Sequence, residues 1–214
     1  MIKKNKVTLI VTSLVMLIPI LVGLILWQKL PEQVPYHWNI QGEVDSWAGK
    51  SMAVFFMPLF MLAMHWICVL ATTADPKNTD YHLKTISLVL WICPVLNLVL
   101  NTMVYAAALN YPVDIEIIMP LLLGIAFILI GNLLPKCRQS YTMGIKLPWT
   151  LNNEENWNKT HRLAGKLWVL GGIVIMTTAF AGSFWILFGT TAVMVAAPTI
   201  YSYLLYRKQQ KGQN

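Results

Sequence analysis

His37 stands within eight residues of three carboxylates, Glu32, Glu43 and Asp45, the closest approach in this sequence to a metal-ligand set. The spacing matches no standard ligand pattern, so the group reads as part of a structured interfacial cap and not as a metal centre. A second group, Glu154, Trp157 and His161, falls on one stripe of any helix formed there. It holds no nucleophile, base and orienting partner, and no HExxH-type spacing occurs, so catalysis is not expected. Two readings remain for the stripe. One is a membrane-surface helix anchored by Trp157, with Lys159, Arg162 and Lys166 toward anionic lipid. The other is a docking site for a cytosolic partner.

Inside the apolar runs chemistry is scarce. The nine carboxylates (Glu32, Glu43, Asp45, Asp75, Asp80, Asp114, Glu116, Glu154 and Glu155) all fall in loops or at the ends of runs. An ion-coupled transporter normally keeps an ionisable residue at depth despite the energetic penalty. His65 is the titratable group at depth, read either as a hydrogen-bonded residue between helices or as a proton relay. Asn97 and Asn101 are four apart and share a helix face. They read as interhelical contacts or as the lining of a polar groove, and Asn132 joins them as an intramembrane polar residue. Cys68, Cys93 and Cys137 read as small apolar fillers, since no pair suits an extracytoplasmic disulfide or a zinc site.

The elements that carry these residues follow from composition. Of 214 residues, 57% are hydrophobic and 12% charged, whereas a soluble domain carries about 25% charged residues. Too little charge is left to cover a soluble surface. Six apolar runs are long enough, at about 20 residues, to cross a bilayer. They are Val7–Trp27, Met52–Ala71, Thr85–Leu109 with a kink expected at Pro94, Ile117–Leu134, Ala164–Gly182 and Trp185–Tyr206. The expected fold is all-α: a six-helix transmembrane bundle. The first run follows Lys3, Lys4 and Lys6 but exceeds a signal-peptide core and lacks a cleavage site, so it reads as a retained anchor.

Orientation follows from the basic residues. Fourteen of the sixteen lysines and arginines lie in the two tails, in the segments after the second and fourth runs or, for Lys166, at the start of the fifth run, leaving Lys29 and Lys50 for the other side. Both termini are therefore expected in the cytoplasm. The net charge of +7 is then a topology signal and not a nucleic-acid patch. The organisation expected is 1–71, with an extracytoplasmic loop 28–51, followed by 72–214, with a cytoplasmic loop 135–163. In the outer loop Pro31 and Pro35 favour an extended start, Gly42 supplies a turn, and Trp38 and Trp47 suit the headgroup level. In the inner loop Pro148 is expected to break regular structure. Asn152 and Glu155 form a plausible capping pair for a helix leading into the fifth span.

At these two loops the chain resembles the bacterial SdpI immunity-protein family. The outer stretch Leu30-Pro31, Val34-Pro35, His37-Trp38-Asn39, Gly42, Asp45 and Lys50 is similar to the family's N-terminal motif. The inner stretch from Gly144 through Lys146, Pro148-Trp149-Thr150-Leu151, Glu154, Trp157 and His161-Arg162 is similar to its C-terminal signature. Lys146-Leu147 stands where the family usually has Arg-Thr, and Ser140 where it usually has Asn. The resemblance implies a plasma-membrane protein without cofactors that gives resistance to a secreted peptide toxin. It implies toxin contacts at Pro31, Pro35, His37, Trp38, Asn39, Gly42 and Asp45. More remotely, it implies a sensor holding a cytosolic repressor of the ArsR type through Lys146, Pro148, Trp149, Glu154, Trp157, His161 and Arg162.

Overall fold

A computed structural model describes residues 2–77, 83–181 and 183–211. Asp80, counted among the loop carboxylates, and Gly182, taken as the end of the fifth span, lie outside the described residues. Helix α1 (Lys6–Ile25) leads into strands β1 (Gln33–Trp38) and β2 (Val44–Gly49). A π-helical turn (Met52–Phe56) continues directly into α2 (Met57–Thr73). There follow α3 (Leu83–Ala108), α4 (Ile115–Leu133), the five-residue α5 (Pro148–Asn152), α6 (Glu154–Ala181) and α7 (Phe184–Lys211).

Six of these helices are long and apolar enough to cross a membrane, in the order expected from the apolar runs. The chain is a multi-pass membrane protein. Helix α3 is continuous through Pro94, as spanning helices tolerate proline where neighbours satisfy the freed backbone groups. The exception to the all-helical expectation is the small β1–β2 hairpin. It forms because Pro31 and Pro35 hold the chain extended and the segment Asn39–Glu43 reverses it.

By packing, the chain divides into two compact units: Met1–Thr73 with Ser87–Ile115, and Ala74–Ile86 with Glu116–Asn214. Most of α3 thus groups with α1 and α2. In the first unit Asn97 Nδ2 donates to the Met16 carbonyl at 3.0 Å, and Tyr105 Oη to that of Pro19 at 3.0 Å. Thr12 and His65 meet at 3.3 Å. These contacts satisfy polar groups that would otherwise be stranded in hydrocarbon, except at His65, whose Nδ1 is buried with no hydrogen-bond partner. In the second unit α4 and α6 approach through glycine. A Cβ on Gly124 would come within 2.6 Å of the Gly172 carbonyl oxygen, and one on Gly131 within 3.0 Å of that of Gly165. Small residues let helix backbones close to this distance.

Candidate functional site

Two surfaces stand apart from the apolar helices, one in each unit. The first is the hairpin. Its base is fixed by burial: Leu30 and Val34 pack with Ala53, Val54, Tyr105 and Ala108 in one apolar cluster. Lys50 closes it further, donating to Glu32 at 2.7 Å and lying 4.9 Å from the Trp27 ring centroid. The turn is held by Asn39, whose side-chain oxygen accepts from the N–H groups of Gln41 at 3.0 Å and Glu43 at 2.9 Å. Asparagine favours this local bonding, and Gly42 takes the positive φ of 74° that the reversal needs.

Above this base the hairpin is open. His37 Nδ1 and Asp45 Oδ1 are 2.6 Å apart across the strands, with side chains 60% and 40% exposed. Pro35 is buried, Trp38 half-buried, and Pro31, Tyr36 and Trp47 exposed. Of the four residues weighed as a metal set, His37 and Asp45 meet, while Glu32 engages Lys50 and Glu43 engages Asn39. Among the described residues no three His, Cys, Asp or Glu side chains gather as a metal group would require.

The second surface is the segment between α4 and α6, which folds as a strap over the first turns of α6. Asp75 anchors it. Its carboxylate accepts from Ser140 Oγ at 2.5 Å, from the N–H groups of Tyr141 and Thr142 at 2.8 and 3.0 Å, and from Thr142 Oγ1 at 3.0 Å. Its other oxygen accepts from the Lys77 N–H at 3.0 Å. Burial alone would raise the Asp75 pKa, but the hydrogen bonds from Ser140, Lys77 and Thr142 outweigh it and hold the carboxyl below its ordinary range. Lys77 adds a bond to the Leu151 carbonyl and lies over the Tyr141 ring.

Farther along, Gly144 takes φ 106° and presses against the His161–Trp157 stack, whose ring centroids are 4.0 Å apart. His161 Nδ1 donates to the Trp157 carbonyl at 2.8 Å, which leaves Nε2 to accept the Ile145 N–H at 2.9 Å. This fixes the neutral tautomer. Trp157 Nε1 donates to the Cys137 carbonyl at 2.8 Å.

Several expectations are corrected here. Trp157 is fully buried and is no membrane-surface anchor, because the strap covers it. Glu154 is exposed and does not join Trp157 and His161. Pro148 does not break regular structure; it occupies the first turn of α5, where its missing N–H costs no hydrogen bond. The cap of α6 is Asn153, whose side-chain oxygen accepts the Asn156 N–H at 2.8 Å, and Glu155 pairs instead with Lys159 at 2.5 Å. Asn152 is already spent as the last residue of α5, and Asn153 has the extended backbone a cap requires. Asn132 is exposed and joins none of the buried polar contacts.

Trp149 Nε1 donates to Ser202 Oγ at 2.5 Å, and its ring lies against Tyr203 and Tyr206. Beside it opens a groove of about 550 Å³. Pro148, Trp149, Asn152 and Asn153 line one side and Tyr206, Gln209 and Gln210 the other. Lys146 and Arg162 are exposed nearby in the sequence but do not line it. Asp75, Ser140 and Gly144 carry the strap, yet nothing local to them in sequence marks that role.

Comparison with known proteins follows this division. Residues 136–202 match the SdpI/YfhL protein family, and residues 14–62 match a domain of unknown function, DUF1648. Over 209 residues, 96% of this chain and 97% of the relative, the sequence is 29% identical to Immunity protein SdpI of Bacillus subtilis (strain 168). No solved structure matches.

Proposed function

We propose that this chain, whose residues 136–202 match the SdpI/YfhL protein family and which is 29% identical over 96% of its length to Immunity protein SdpI of Bacillus subtilis (strain 168), is an immunity protein of the bacterial plasma membrane, protecting its cell against a secreted peptide toxin. The observation that carries the reading is the extent of the similarity. It spans 96% of the chain, so it includes the exposed hairpin and the packed strap as well as the helices.

The fourteen-to-two division of basic residues favours an orientation with the hairpin outside and both termini and the strap inside. In that orientation the exposed His37–Asp45 pair, with Trp38 and Trp47 beside it, meets the toxin. Pro31, Pro35, Asn39 and Gly42 give the hairpin its shape. On the inner side the groove along Pro148 and Trp149 offers a cytosolic repressor of the ArsR type an aromatic floor and amide walls. Lys146, Glu154 and Arg162 are the exposed charges of that face, while Trp157 and His161 act from beneath by holding the strap. The protein works by binding, without catalysis or a cofactor, and lipid surrounds its six spans.

The test is genetic. Deleting the gene sensitises the cell to a secreted antimicrobial peptide, and the wild-type chain restores resistance. His37→Ala or Trp38→Ala, expressed at the same level, does not. Equal peptide killing of the parent and deletion strains sinks the reading.

A further inference from the structure

The hairpin has two free edges, and they differ. The Lys50 N–H donates to the Glu32 carbonyl at 3.0 Å, which makes that couple a hydrogen-bonded one. Antiparallel couples alternate between bonded and non-bonded. Along the register, Val34 and Ala48 therefore bond to each other, while Gln33 with Gly49 and Pro35 with Trp47 turn their backbone groups outward. Pro35 consequently sits where the ladder asks for no N–H, and it blunts the free edge of β1. On the free edge of β2, Trp47 presents an N–H and a C=O and Gly49, two residues on, an N–H, its carbonyl being committed to the helical turn that begins at Lys50.

That edge is open. Trp47 is 56% exposed, and a Cβ built on Gly49 would meet nothing within 4 Å. Among the described residues, no loop or turn backbone bonds to Trp47 or Gly49. The accessible charge beside it is negative. Glu43 and Asp45 are exposed, Asp45 beside His37, whereas the Lys50 side chain is 11% exposed and held by Glu32.

We propose that the free edge of β2 takes up an extended, cationic peptide segment as a third strand. Main-chain bonds to Trp47 and Gly49 supply affinity, while the carboxylates select positive side chains. Pairing with a second copy would bring two acidic ribbons together, which the same charges oppose. The inference deepens the reading of the hairpin as the peptide-recognising element and rests on it.

The experiment uses the full chain in phosphatidylcholine nanodiscs. The probe is a short peptide of alternating lysine and valine, and its control is the same peptide N-methylated at every second residue. Binding is expected to weaken at least about tenfold with the N-methylated peptide and in Gly49→Pro, and to be unchanged in Gly49→Ala. Amide exchange at Trp47 and Gly49 should slow when the probe binds. Exchange at Val34 and Ala48 reports whether the Gly49→Pro hairpin still forms, and the N-methylated arm leaves the protein untouched. The proposal is overturned if the probe does not bind the wild type, if N-methylation makes no difference, or if a folded Gly49→Pro binds equally. Loss of a cross-linked dimer in Gly49→Pro, with probe binding intact, would assign the edge to a second copy and overturn it too. Failure of the broader reading looks different: there the wild-type chain gives no protection, whatever the probe does.

Discussion

The carboxylate of Asp75 lies 2.5 Å from the hydroxyl of Ser140, a residue 65 positions away, and around this contact the strap gathers its polar bonds. The Tyr141 and Thr142 N–H groups reach the same oxygen. Removing the acceptor leaves those donors without a partner in a part-buried site. Asp75→Ala should therefore cost about 2–3 kcal/mol, in line with hydrogen bonds to a charged group. It should also expose residues 138–147 to protease while the helices stay intact. Limited proteolysis of nanodisc-embedded protein checks this, and an undigested strap would contradict it.

The same contact carries a pH dependence. The Asp75 pKa is lowered in the folded protein, so its contribution to stability is fully present above the ordinary carboxylate value of 3.8 and is lost as pH falls through the folded value. Amide exchange at Tyr141 and Thr142 should accelerate with acid in the wild type more steeply than general exchange chemistry predicts. In Asp75→Asn that additional dependence should vanish.

Gly144 and His161 give a second handle on the strap. A Cβ at Gly144 would fall 2.5 Å from His161 Nε2, and φ 106° strains any residue with a side chain. His161→Phe keeps a ring to stack on Trp157 but leaves the Ile145 N–H unpaired, at about 1–3 kcal/mol. Both Gly144→Ala and His161→Phe should lower the thermal unfolding midpoint, and together they should lose less than the sum, because they loosen one contact. Strict additivity would mean that the two residues do not share it.

Much of this fold is legible in the sequence because crossing a bilayer demands a length of apolar chain, and length is a one-dimensional signal. The turn of the hairpin is legible too, since Asn39 and Gly42 are local turn formers. The strands flanking it are not, being short and interrupted by Pro35. The strap is the part sequence hides. Asp75 reads as one loop carboxylate among nine, and only the folded chain brings it to Ser140. Trp157 reads as an interfacial anchor because tryptophan favours that level, and a covering segment from elsewhere in the chain reverses the inference.

Asn97 and Asn101 separate transport from binding. Their amides are spent on one another at 3.0 Å and on the Met16 carbonyl at 3.0 Å, with His65 held near Thr12. A polar path for peptide or lipid would run through these three residues. Replacing them together with apolar residues of similar size should cost about 0.6–2 kcal/mol per lost interhelical bond and leave peptide protection in place. Loss of protection at normal expression and folding would revive transport.

The last prediction concerns the glycines that let α4 and α6 meet. Gly124 and Gly131 are seven apart, as are Gly165 and Gly172, and the pairs oppose one another in reverse order, as antiparallel helices require. Their spacing is visible in the sequence, but its meaning comes only from the pairing. A side chain at Gly131 has the Gly165 carbonyl and the Val169 backbone nitrogen in its way, and backbone cannot rotate aside as a side chain can. Gly131→Leu should therefore force α4 from α6 and cost about 1–3 kcal/mol or more. Gly49→Leu adds the same bulk where nothing lies within 4 Å and should be nearly neutral for stability. Thermal unfolding of the two variants in the same nanodiscs makes the comparison, and equal midpoints would mean that close α4–α6 packing does not stabilise the membrane domain.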